Sequence, residues 1–124
     1  MNMKKFYLFL FIALAWTISA SAQVPAFPGA DGYGRYTTGG RGGEVYYVTS
    51  LEDTDTPGTL RYGVTHLSKV TILFKVSGTI QLNSSLNIRN SNITIAGQSA
   101  PGDGICLAGY PVSVSGSNVI VRYM

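Results

Sequence analysis

Most of the acid, base and nucleophile chemistry open to this chain rests on six acidic residues, nine Lys and Arg, one His and one Cys. The densest cluster is Glu52, Asp53 and Asp55, which invites a calcium reading. Counted as an EF-hand loop from Asp53, Gly58 stands at the required sixth position. Pro57, however, occupies a ligand position and Val64 replaces the bidentate Glu. The cluster therefore reads as a solvated acidic turn. The stretch GGRGGEVYY (39–47) partly matches a calcium-binding nonapeptide, but Glu44 stands for Asp and no second copy follows. It lacks the Gly-Lys-Ser/Thr of a phosphate-binding loop.

The remaining candidates are isolated. His66 is the sole histidine and has no Ser or Cys motif beside it, so triad chemistry has no support. Cys106, flanked by Ile105 and Leu107, faces away from them in a regular strand and reads as an unreactive thiol. Asp103, in APGDGI, reads as a turn residue. Arg35 and Arg41 lie in a Gly-rich segment and could meet a carboxylate-rich polymer. The plainer reading is a loop over the start of the fold in which Arg bonds backbone carbonyls. Arg122 should point outward and border a face. None of these residues is assigned a catalytic, cofactor-binding or metal-binding role.

Export shapes the rest of the composition. Lys4 and Lys5 precede an uncharged apolar run, Phe6 to Ile18, and Ala20-Ser21-Ala22 supplies small residues for cleavage before Gln23. That run is too short for a membrane span, which needs about 20 apolar residues. Residues 1–22 thus read as a signal peptide, and the protein as secreted or periplasmic, with no membrane association after cleavage. Removing Lys4 and Lys5 lowers the net charge from +3 to +1, so the sequence pI near 9.1 loses its significance and nucleic acid is excluded as a partner. One cysteine excludes an internal disulfide framework and a Cys-based zinc site.

Any site must be positioned by the elements that follow. Residues 23–43 carry Gly and aromatics without period and read as loop or edge structure. A first strand is expected over Glu44 to Thr49. Leu60, Val64 and Leu67 recur at helical spacing behind Thr59, a suitable cap, although Gly63 weakens the helix. From Val70 onward 16 of 55 residues are Val, Ile or Thr and only four are charged. Seven short runs alternate: Ile72-Phe74, Ile80-Leu82, Leu86-Ile88, Ile93-Ile95, Ile105-Leu107, Val112-Val114 and Val119-Val121.

The spacing of these runs decides the architecture. Ile80 and Leu82 recur as Ile105 and Leu107 after 25 residues, and Leu86 and Ile88 as Val112 and Val114 after 26. Asn92-Ile93-Thr94-Ile95 recurs as Asn118-Val119-Ile120-Val121, again after 26, and Ile72-Phe74 fits one shorter step before Ile93-Ile95. Three interleaved strand families sharing one period require a coil with three strands per turn, a parallel β-helix. Asn92 and Asn118 should stack at one corner, in left-handed backbone, with their amides bonding along the column.

The segments AFPGADGYGRYTTGGRGGEVYYVTSL, PGTLRYGV, VSGTIQL, ITIAGQSAPGDGICLAGYPVSV and NVIVRYM occur in this order. Together they resemble the N-terminal part of secreted pectate lyases of bacterial type, over Ala26 to Met124. The resemblance implies an all-β, right-handed parallel β-helix solenoid with a short N-terminal capping helix. It also implies calcium-dependent β-elimination on pectin or polygalacturonate, with an arginine as base, by a protein that is monomeric when intact. In that family the calcium-binding and catalytic residues lie beyond the segment matched by NVIVRYM, so none is carried onto a residue here.

Residues 23–69 are accordingly expected to form a loop, strand and capping helix, and 70–124 the first coils of a truncated β-helix. An end left open at Val119-Ile120-Val121 would expose β-branched residues. The expectation is an inactive N-terminal fragment of a longer lyase. The alternative is a non-catalytic secreted β-helix that binds carbohydrate or acts as an adhesin.

Overall fold

A computed structural model describes residues 2–5, 7 and 22–124. The signal-peptide reading of residues 1–22 lies almost wholly outside the described residues. Among those described, no helix is long and apolar enough to cross a membrane.

Among residues 22–124 eight strands and one α-helix form: β1 (Glu44–Val48), α1 (Leu60–His66), β2 (Val70–Phe74), β3 (Gly78–Gln81), β4 (Leu86–Ile88), β5 (Ile93–Ala96), β6 (Ile105–Ala108), β7 (Val112–Val114) and β8 (Val119–Arg122). They make three sheets, β1-β2-β5-β8, β3-β6 and β4-β7, in which every pairing is parallel. Each of β3, β4 and β5 thus lies beside the strand three further on. This arrangement is consistent with a parallel β-helix. Inward residues form columns, for example Tyr46–Ile72–Ile95–Val121 and Leu86–Val112. The buried core comprises Val48, Ile72, Phe74, Ile80, Leu82, Leu86, Ile88, Ile93 and their neighbours. In the last members of the columns burial is lost. Val112, Val114 and Val121 are 43%, 50% and 46% exposed, against 1–2% for Leu86, Ile88 and Ile95.

Two expected registers need correction. Leu86–Val112 and Ile93–Val119 pair at the 26-residue spacing. Ile72, however, pairs with Ile95 rather than Ile93, and Ile80 with Leu107 rather than Ile105. Both slips are of two residues, which leaves every side chain on its own face. Apolar alternation sets which face is buried; the turns choose among registers that share that face. At β3 the selection includes the Gly78 N–H, which donates to the Gly104 carbonyl at 2.9 Å.

The helix forms where its spacing indicates. The Thr59 hydroxyl accepts from the Tyr62 N–H at 3.3 Å, while Leu60, Gly63 and Val64 are buried. Gly63 costs about 1 kcal/mol of helix propensity relative to Ala. A Cβ there would lie 2.8 Å from the Tyr46 ring and 3.2 Å from the end of Ile72. Close packing of α1 on β1 and β2 therefore demands the residue that weakens the helix.

The asparagine corner is as expected. Asn92 and Asn118 have φ of 61° and 57°, and the Asn118 amide donates to Asn92 Oδ1 at 2.7 Å. Asn118 Oδ1 also accepts from the N–H groups of Thr38 and Gly39, at 2.9 and 3.2 Å. These bonds hold the Gly-rich loop against the outer side of the large sheet, not over the start of the fold as expected. A Cβ at Gly40 would come within 2.0 Å of the Val70 carbonyl oxygen, so only glycine permits this approach.

Candidate functional site

The acidic cluster separates into three environments. Glu52 is exposed. Asp55 faces His66 across 2.9 Å, and the His66 ring lies 4.7 Å from that of Tyr62. Asp53 contradicts the solvated-turn reading, because its side chain is only 1% exposed. Its two carboxylate oxygens each accept from Arg61, Nε and Nη2, at 2.7 Å, and Oδ2 also accepts from the Asn83 N–H at 2.7 Å. Arg61 reaches on to the carbonyls of Ser84 and Ser85, at 2.9 and 3.2 Å. Helix, acidic loop and the turn between β3 and β4 are thereby fastened together. The Arg61 hydrogen bonds hold the Asp53 carboxyl below the usual carboxylate range and outweigh its desolvation, while Asp53 raises Arg61 further. A carboxylate so committed serves structure rather than catalysis. Sequence alone missed it; Asp53 and Arg61 stand eight residues apart, without a motif.

Burial above all raises the Tyr46 hydroxyl, which donates to the Thr59 carbonyl at 2.9 Å and accepts from the Gly58 N–H at 2.7 Å. It too has its partners within the structure. Asp103 sits in an exposed turn closed by the Gly104 N–H on the Pro101 carbonyl, 3.2 Å. Cys106 is a free, exposed thiol on the outer side of β6.

The two arginines that come together are Arg41 and Arg122. They line one groove of about 370 Å³ on the outer face of β2, β5 and β8, with Thr38, Thr94, Gln98 and Ile120. Arg41 Nη2 donates to the carbonyls of Pro25 and Ala26, at 3.0 and 3.5 Å, as the plainer reading expects. Arg122 lies over the Phe27 ring at 4.1 Å and the Tyr123 ring at 5.0 Å. Arg35 stays apart, over Tyr36 at 4.8 Å. No motif or period marks Gln98 as part of this groove, or Phe27 as the ring beneath Arg122. Their meeting depends on chain segments far apart in sequence.

Among the described residues no three His, Cys, Asp or Glu side chains gather as a metal-binding group. Asp53 is taken by Arg61 and Asn83, and Asp55 by His66, so these two carboxylates do not fit a calcium ion.

Comparison with known proteins bears on what this scaffold belongs to. No family model matches the chain. It is 41% identical over 114 residues to a probable pectate lyase C of Emericella nidulans, covering 91% of this chain and 26% of that protein. It is 40% identical over 116 residues to a probable pectate lyase C of Aspergillus fumigatus, covering 93% and 27%. Against pectate lyase 1 of Hesperocyparis arizonica identity is 44% over 72 residues, or 56% and 19% of the two chains. The chain thus spans about a quarter of the length of the probable lyases it matches. The pectate lyase C relatives are fungal, so the expected bacterial type finds no support. Identity near 40% over most of this chain supports a place in the pectate lyase family.

Proposed function

We propose that this chain forms the N-terminal coils of a secreted pectate lyase that cleaves polygalacturonate by calcium-dependent β-elimination. One observation carries the reading: identity of 40–41% across more than nine-tenths of the chain to probable pectate lyases. Three wholly parallel sheets in repeating order are the scaffold such a reading requires. In this reading the β-helix is right-handed and α1 closes its N-terminal end. Residues 1–22 direct export, residues 23–69 bring the chain onto the sheet, and residues 70–124 begin the stack. The exposed Val112, Val114 and Val121 are then the surface on which the next coil stacks, and this segment alone is inactive. Calcium belongs to the reading, with ligands outside the carboxylates described above.

The test is expression of the intact gene product and measurement of unsaturated uronide release from polygalacturonate, with calcium and with a chelator. Release that depends on calcium is the expected result. A folded, exported product that binds the polymer without cleaving it would instead establish the non-catalytic module.

A further inference from the structure

Residues 38–43 form a strap that crosses the large sheet from its β8 end back to β1. Asn118, at the corner before β8, accepts from the Thr38 and Gly39 N–H groups. Its amide donates in turn to the Thr38 hydroxyl at 2.7 Å and the Gly39 carbonyl at 3.5 Å. The Gly40 N–H donates to the Thr94 hydroxyl of β5 at 2.9 Å, and Gly40 packs on the Val70 carbonyl of β2. At the end of the strap the Glu44 N–H donates to the Lys69 carbonyl at 3.0 Å as the chain enters β1. The strap thus meets the strands of the large sheet in the reverse of their chain order.

Two features set it apart from the sheets. The Thr38–Asn118 contact closes 80 residues, against 26 for the strand pair Ile93–Val119, so more chain entropy is surrendered to make it. The hold is also polar. Of residues 22–43 only Gly39 and Gly40 are buried, and none belongs to the apolar core. Farther upstream, Phe27 stacks under Arg122 of β8, and the Ala26 N–H closes the intervening loop on the Arg35 carbonyl at 2.7 Å. Both attachments at the β8 end wait on residues 118–122, whereas β1, β2 and β5 pair without them. A segment fastened by a few polar contacts over an intact core opens as a unit of its own.

We propose that residues 24–43 are a clasp that closes last, once β8 is in place, and that opens by itself while the sheets stay folded. The order rests on the geometry; its use rests on the signal-peptide reading. On that reading Gln23 follows the cleavage point, so a segment kept extended until Asn118 and Arg122 have folded leaves that point reachable during export.

Hydrogen exchange of the intact gene product, read by mass spectrometry, tests the clasp. Under native conditions the peptide containing Thr38, Gly39 and Gly40 should exchange about tenfold or more faster than those of β2 and β5. Thr38→Val keeps the branched shape of an exposed residue and removes the acceptor for the Asn118 amide. It should speed exchange in that peptide about fivefold and leave β2 and β5 unchanged. During refolding from urea with pulsed exchange, the strap should gain protection after β5 and β8. Protection of strap and sheets in one step, strap protection ahead of β8, or Thr38→Val speeding β2 and β5 as much as the strap would each overturn the proposal. N-terminal sequencing of the exported product is a separate measurement; an uncleaved product would remove the export role while leaving the clasp standing.

Discussion

Replacing Asp53 by Asn keeps the shape of the side chain and removes its charge, which isolates what the buried pair contributes. In the native chain the carboxylate accepts three short hydrogen bonds, two from Arg61 and one from the Asn83 N–H. Breaking a buried pair by removing one partner costs about 3–5 kcal/mol. Arg61 keeps its bonds to Ser84 and Ser85 and is 18% exposed, so the lower end applies, about 3 kcal/mol. For a domain of this size that lowers the melting temperature by roughly 10 °C or more. The pH dependence has a definite sign. The folded-state pKa of Asp53 lies below its unfolded value, so the stabilisation is complete above about pH 4 and is lost as pH falls through the folded value. Urea melts of the native chain and Asp53→Asn should therefore differ at pH 7 and converge in strong acid. Hydrogen exchange supplies a local readout, because the Asn83 N–H should lose protection in the variant. A variant as stable as the native chain at pH 7, or a difference that persists undiminished in acid, would refute the assignment.

Two further substitutions probe the packing. Gly63→Ala gains about 1 kcal/mol of helix propensity but drives a methyl to 2.8 Å from the Tyr46 ring, so thermal melts should show a net loss of about 1–2 kcal/mol. Asn118→Ala removes the ladder bond to Asn92 and the acceptor for the Thr38 and Gly39 N–H groups, and leaves Ala in left-handed backbone. It should cost about 2 kcal/mol and speed proteolysis within the Gly-rich loop, as peptide mapping would show.

How far the sequence reaches is visible in particular residues. Strand alternation, the 26-residue spacing of Leu86–Val112 and Ile93–Val119, the Asn corner and the Thr59 cap were all legible, because each is local or repeats in sequence. The family likeness was legible for the same reason, as contiguous motifs. At β2–β5 and β3–β6 the register lies two residues from the one the spacing indicated; period-two patterning cannot distinguish registers that bury the same face.

Tertiary structure decided the rest. Asp53 became an internal anchor only because α1 and the turn before β4 close over it. Gly40 mattered only because Val70 passes beneath it, and Arg122 acquired an orientation only when Phe27, 95 residues earlier, came to lie under its guanidinium. Local periodicity records which face of a strand meets the core, since that constraint recurs every two residues. The partners of a single charge or glycine occur once, at distances along the chain that only folding closes.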